Sequence, residues 1–257
     1  MRGRRSGLLG MAAVFAAGSS LPPQQENSRT TQPMSDEDAS RVYVDKGVQY
    51  MNAGQYQVAL NDLRKAVDLD DGNSEAHNAL GVLYQRLDDH AESDAHFRKA
   101  LSLNNNNYAA HNNYGRFLCG AGRADEAFEQ FRMVSGVKLY GQPWLPLTNA
   151  GLCAHAIGQK AEAERYVRQV LGAQPNFPPA LLEMARLSRE TGQPMAARGF
   201  LQRYGKVAGP TPESLALGVE IETALGNAQG ASEQLQTLYS RFPDSTAVMS
   251  ARQRLGQ

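Results

Sequence analysis

Two series of residues recur along the 257-residue chain with the same beat. Gly47, Gly81, Gly115 and Gly151 lie 34, 34 and 36 residues apart. Gly54, Asp88, Gly122, Gly158, Gly192 and Gly226 lie 34, 34, 36, 34 and 34 apart. Because the two series keep step, the chain consists of one supersecondary unit used about six times. Within each unit the apolar residues fall at helical spacing. In the first, Tyr43, Gly47 and Tyr50 share a stripe, a turn follows at Asn52–Gly54, and Ala59, Leu63 and Ala66 form a second stripe. The second unit repeats this with Leu80, Gly81 and Tyr84, then Phe97 and Ala100; the third has Tyr114, Gly115 and Leu118, then Ala127 and Phe131.

This layout resembles the tetratricopeptide repeat (TPR), in which an early small residue lets the two helices of a hairpin approach closely. Twelve places on, the residue at their crossing must also be small: Ala59, Ser93, Ala127, Ala163, Ala197 and Ala231. Four residues later comes an apolar knob: Leu63, Phe97, Phe131, Val167, Leu201 and Leu235. The resemblance implies an all-α, right-handed superhelix of about six hairpins, with first helices lining a concave surface. The TPR domain is expected over residues 39–257, with repeats near 40–73, 74–107, 108–141, 144–177, 178–211 and 212–245. Repeats five and six carry Ala185 and Val219 at the early small position, and Gly218 points to a one-residue shift in the sixth. Lys46 occupies a place that is usually apolar. Physics agrees with the pattern, since helices below about 12–15 residues are marginal alone. Stacking hairpins buries both apolar faces, each fully buried Leu or Phe contributing roughly 1.5–3 kcal/mol.

Charge and motifs exclude several function classes. Lys+Arg and Asp+Glu are each 26, so no net field draws in nucleic acid or anionic lipid. There is no Gly-rich phosphate loop, no G-x-S-x-G elbow and no H-E-x-x-H. The chain therefore reads as a non-enzyme with no catalytic residue, cofactor, metal or small-molecule substrate. His77 and His111 occupy equivalent places in adjacent repeats and read as core residues, while His90, His96 and His155 have no partner at metal-binding spacing. Asp70–Asp71 and Asp88–Asp89 read as turn residues. Trp144, in the stretch that carries the two extra residues of the 36-residue interval, reads as a plug between repeats.

A protein-binding face is expected along the first helices. Val44, Val48 and Met51 fall at i, i+4 and i+7 beside the Tyr43/Gly47/Tyr50 stripe, and predict an apolar strip open to the groove. Asn78, Asn112, Asn113, Arg116, Arg186 and Arg189 follow on the same face and suit a peptide backbone or carboxylates. TPR co-chaperones that grip acidic tails need groove lysines; the equivalent places here hold Val44, Asn78 and Asn112, which argues against that partner class.

The N-terminus is separate. Arg2, Arg4 and Arg5 precede an apolar run from Leu8 to Ala17 and then Gly18, Ser19 and Ser20, the layout of a secretory signal peptide over residues 1–20. Residues 21–38, with Pro22, Pro23, Gln24, Gln25, Asn27, Thr30 and Pro33, read as a disordered linker.

Three strings narrow the resemblance: Asn112-Asn113-Tyr114-Gly115-Arg116-Phe117-Leu118-Cys119, Asn149-Ala150-Gly151-Leu152-Cys153 and Ala180-Leu181-Leu182-Glu183-Met184-Ala185. With an exported N-terminus, they are similar to the type IV pilus biogenesis/stability protein family (PilF/PilW), the outer-membrane pilotins. That family implies a periplasmic TPR lipoprotein that binds secretin subunits and promotes their localisation and multimerisation at the outer membrane. The alternative is a general periplasmic TPR scaffold for envelope complexes. Ser19 stands where a lipobox cysteine is expected, and a serine hydroxyl cannot take the thioether-linked lipid, so export without a lipid anchor is predicted and membrane association is indirect. In an oxidising periplasm Cys119 and Cys153 either bridge or remain two buried thiols acting as small apolar residues.

Overall fold

The structure, a computed structural model, describes residues 34–135 and 144–248. The expected signal peptide, most of the linker and most of the segment from Val137 to Leu147 lie outside the described residues. Twelve α-helices follow in chain order among those described: α1 (Asp36–Asn52), α2 (Tyr56–Leu69), α3 (Ser74–Arg86), α4 (His90–Leu103), α5 (Tyr108–Gly120), α6 (Ala124–Ser135), α7 (Trp144–Ala156), α8 (Lys160–Ala173), α9 (Pro178–Glu190), α10 (Pro194–Ala208), α11 (Pro212–Ala224) and α12 (Ala228–Arg241). They pair as six antiparallel hairpins, so the fold is the all-α TPR superhelix the repeats predict. One boundary needs correction. The linker expected to reach residue 38 gives way to helix at Asp36, because the Ser35 hydroxyl accepts from the Asp38 amide and three acidic residues occupy the positive N-terminal turn.

Four of the six hairpins close on a contact that has no room for a Cβ. A Cβ on Gly47 would lie 2.6 Å from Leu63, one on Gly81 2.8 Å from Phe97, one on Gly115 2.5 Å from Phe131 and one on Gly151 2.9 Å from Val167. The crossing residues Ala59, Ser93, Ala127, Ala163 and Ala197 are fully buried. In the sixth hairpin the close approach moves by one residue: a Cβ on Gly218 would lie 3.1 Å from Gln234, the shift that Gly218 signals in the sequence.

Turns between paired helices all use the left-handed backbone region. Gly54, Gly122, Gly158, Gly192 and Gly226 have φ between 71° and 81°, and Asp88, the second repeat's equivalent, has φ 63°. Asp88 is the only non-glycine described there, and aspartate tolerates this region better than most residues. The neighbouring Asp89 caps α4, and Asp70 accepts from the Gly72 amide, so these acids serve the turns as their type suggests.

Polar side chains tie the helices at repeat-related places. Ser93 donates to the Gly81 carbonyl across its hairpin at 2.8 Å. Buried Ser40 donates to the Ala66 carbonyl and accepts from Asn73, which caps α3; Ser74 donates to the Ala100 carbonyl and accepts from Asn107, which caps α5. His111 meets Gln130 at 2.7 Å and the Asn105 carbonyl at 3.0 Å. One repeat earlier, His77 meets His96 at 2.9 Å and the Asp71 carbonyl at 3.3 Å. His96 thus replaces the glutamine of an otherwise equivalent lock, stacked between the rings of His77 and Tyr84. Both histidines are core residues, as their repeat position suggests; the pairing with His96 is not visible at 19-residue separation.

Curvature follows from which helices touch. First helices pack on their successors (α1 on α3, α3 on α5, α5 on α7, α7 on α9, α9 on α11), whereas among the described residues no second helix packs on the next second helix. The first helices therefore lie on the inner, tighter side.

Two stability measurements follow. Asp88→Gly removes a strained non-glycine φ and is expected to raise stability by about 0.5–1 kcal/mol in urea unfolding; a decrease would show that the exposed contact of Asp88 with His90 at 3.2 Å outweighs it. The His96 pKa is lowered to about 4, chiefly by burial and then by the nearby His77 and Arg64 charges. An unfolded chain takes up this proton near pH 6.5, the folded one only near 4, so stability is lost as pH falls through that window. His96→Gln, which copies the third repeat, is expected to flatten the decline; an unchanged slope in urea midpoints from pH 7 to 4 would remove His96 from the account.

Candidate protein-binding groove

With each first helix held by its small residue against the second helix (a glycine in all but α9, which has Ala185), its remaining faces have fixed directions. The apolar strip predicted on α1 is corrected here. Val44 and Met51 are buried, 7% and 5% exposed, in a core cluster with Ala76, Ala79, Leu80 and Leu83 of α3, and Val48 is half-buried beside them. Because successive first helices touch, α1 turns Val44 and Met51 onto its neighbour rather than into the groove, while Val48 keeps part of its surface open at the edge of that contact.

The asparagines are brought together, but chiefly with one another. Asn113 donates from its amide nitrogen to the Asn78 oxygen at 3.1 Å, and Asn149 donates to the Asn112 oxygen at 2.8 Å. Of the two adjacent asparagines on α5, Asn113 reaches back to α3 and Asn112 receives α7. A repeat bonded on both sides needs both. Asn112 is consequently buried, while Asn78 and Asn113 stay half-exposed with amide capacity left for a guest. Asn149 is a groove residue that the sequence reading missed; its offset two places before Gly151 matches that of Asn113 before Gly115.

The arginines differ among themselves. Arg186 pairs with Glu213 and, at 3.6 Å, with Glu183; Arg189 pairs with Glu220 at 3.1 Å and Glu190 at 3.6 Å. Both are neutralised within the face. Arg116 is exposed, and among the described residues no carboxylate lies in ion-pair range of it.

Two stitches hold the middle of the groove. The structure joins Cys119 of α5 and Cys153 of α7 in a disulfide, Cα–Cα 5.8 Å, across the junction where the repeat interval lengthens to 36. Of the two states open from sequence, this is the bridged one. Between α7 and α9, His155 lies between buried Glu183 and Glu190, its Nε2 3.0 Å from Glu190, which Lys160 also meets at 2.9 Å. Burial pushes the Glu183 carboxyl up, while the Lys160 hydrogen bond leads in holding Glu190 down to about 2. The sequence shows no metal-binding partner for His155 at helical spacing, and the Glu183 it meets is 28 residues away. Trp144, edge-on to Phe177 with ring centroids 6.5 Å apart, packs between the fourth and fifth repeats. Among the described residues no cluster of three His, Cys, Asp or Glu could hold a metal, and no helix is long and apolar enough to cross a membrane.

Comparisons with known proteins agree with this architecture. Family profiles described as TPR or tetratricopeptide repeats match residues 47–88, 74–107 and 96–129. The chain is 29% identical to the type IV pilus assembly protein PilF of Pseudomonas aeruginosa over 234 residues, 90% of either chain. Its structure resembles the crystal structure of PilW, a widely conserved type IV pilus biogenesis factor, at 32% identity and a TM-score of 0.75, covering 82% of this chain and 97% of that one. It also resembles the structure of P. aeruginosa PilF at 27% identity and a TM-score of 0.72, covering 86% and 100% respectively.

The disulfide closes a loop between cysteines 34 residues apart, which by chain entropy stabilises the fold by about 3–4 kcal/mol. Replacing both cysteines by serine is expected to lower unfolding stability by that order. A double variant within about 0.5 kcal/mol of wild type under non-reducing conditions would show that the bridge does not hold the native junction.

Proposed function

We propose, for a chain that belongs to the TPR family of type IV pilus biogenesis factors represented by PilF and PilW, that its concave groove binds a segment of the pilus secretin and promotes secretin multimerisation at the outer membrane. TPR repeats are protein-interaction scaffolds, and a part in type IV pilus biogenesis follows from the family itself. What carries the finer reading is that the likeness extends over 97% of PilW instead of a generic pair of repeats. The groove residues Asn78, Asn113, Arg116 and Asn149 supply the polar contacts, and no step requires catalysis.

The proposed site of action is the periplasm, after export directed by Arg2, Arg4, Arg5 and the Leu8–Ala17 run, without a lipid at Ser19. Deleting the gene and fractionating the envelope tests both parts. Secretin multimers are expected to fall severalfold in the deletion strain and to return with the wild-type chain, which should fractionate with the periplasm. Full multimers in the deletion strain would sink the secretin reading and favour the general scaffold role.

A further inference from the structure

We infer that the groove receives an extended, polyproline-II-like segment of its partner that carries an apolar side chain at every third residue and one carboxylate opposite Arg116. The inference rests on the reading of this face as protein-binding.

Five residues occupy one position in successive repeats, each directly after the small residue that faces the second helix: Val48, Val82, Arg116, Leu152 and Arg186. Gly47, Gly81, Gly115 and Gly151 point at Leu63, Phe97, Phe131 and Val167, so a turn of about 100° brings the next residue onto the side shared by the first helices. Val48 and Val82 are half-buried, Leu152 is 38% exposed and Arg116 is exposed. The row therefore reads apolar, apolar, basic, apolar, basic along the inner face, its last member Arg186 already paired with glutamates.

Its charge is confined to one place. Arg41 near the first repeat's entry pairs with Glu37 and Asp38, Arg86 donates to the Met51 carbonyl at 3.0 Å, and Arg186 and Arg189 are held by glutamates. Arg116 alone among these cations offers its guanidinium to a guest, beside the half-exposed amides of Asn113 and Asn149. A carboxylate is the complementary group, since it accepts two parallel N–H bonds from the guanidinium fork.

Spacing selects the conformation of the guest. Packed helices stand about 8–10 Å apart, so neighbours in the row are separated by about that distance. A polyproline II chain advances about 9.3 Å in three residues and returns to the same face. A β-strand repeats its face about every 6.7 Å and falls out of step within two repeats. An α-helix returns to one face about every 5.4 Å, too close for this row, or every second turn at about 10.5 Å, which overshoots the spacing and drifts out of step along four repeats. A guest read as apolar-x-x-apolar-x-x-acidic-x-x-apolar meets Val48, Val82, Arg116 and Leu152 in turn, and its exposed backbone meets the asparagine amides.

The test uses the full chain and synthetic ten-residue peptides. Leu stands at the first, fourth and tenth positions, Asp at the seventh, and Pro and Gln elsewhere, with the reversed order made as well because the chain direction is not set by the row. Fluorescence anisotropy is expected to show the Asp peptide binding about tenfold tighter than its Asp-to-Lys counterpart, and Arg116→Glu to invert the preference. Leu152→Asp, at an exposed position that tolerates charge, is expected to weaken both. Equal affinity for the Asp and Lys peptides, or an unchanged preference in Arg116→Glu, overturns the proposal, as does tighter binding of a peptide with the same residues at every second position. Binding seen only after removal of residues 249–257 would mean that the chain's own tail fills the groove, and overturns it too. The assay contains no pilus component, so its failure leaves the secretin reading standing, and failure of the secretin reading leaves this one testable.

Discussion

A small residue at one position per hairpin, glycine in five hairpins and Ala185 in the fifth repeat, governs the rest of this structure. At Gly47, Gly81, Gly115 and Gly151 the knob of the second helix sits where a Cβ would be. The helices consequently cross closer than any larger residue would allow, and the rotation of each first helix about its axis is set. With rotation set, the stripe that meets the next repeat and the row that faces the groove are no longer free to vary. In the sixth hairpin the glycine moves to 218 and its counterpart to Gln234, keeping the sixteen-residue offset, so the contact rather than the absolute register is what the fold retains.

Between repeats the kind of tie changes along the chain, with some junctions sharing one. Repeats one to three are linked by the Ser–Asn relays that end on the Ala66 and Ala100 carbonyls, repeats two to four by the asparagine bonds, and three to four also by the disulfide. His155 with Glu183 joins four to five, and Arg186 and Arg189 with Glu213 and Glu220 join five to six. In a stack whose stability is a sum over neighbours, every junction needs its own favourable term, and polar ties also set how far neighbouring first helices can slide. These ties occupy side chains that would otherwise face a guest, which concentrates the free polar capacity of the groove near the third and fourth repeats.

Legibility from sequence divides along the same lines. The glycines, the small crossing residues and the knobs were readable because each contact lies within one hairpin, where an offset of sixteen residues repeats six times. The turn series was readable because the left-handed φ at Gly54 and its equivalents restricts the residue type. The groove was only partly readable. Val44 and Met51 have the periodicity of an exposed stripe and of a buried one alike, and only the neighbouring α3 decides between them. The paired asparagines showed an unusual string, but not that one looks backward and the other forward.

The sequence by itself determined an all-α stack of TPR hairpins, because short-range spacing and residue volume suffice when every contact repeats. Tertiary structure decided which of these side chains remain available. The Cys119–Cys153 bridge, the burial of Asn112 and the neutralisation of Arg186 and Arg189 each depend on partners about 27 to 37 residues away, and Arg116 stays open because among the described residues no carboxylate is placed beside it. At such separations no local pattern distinguishes a group committed to its neighbour from one left open to a guest, since the difference lies in where the next repeat is placed.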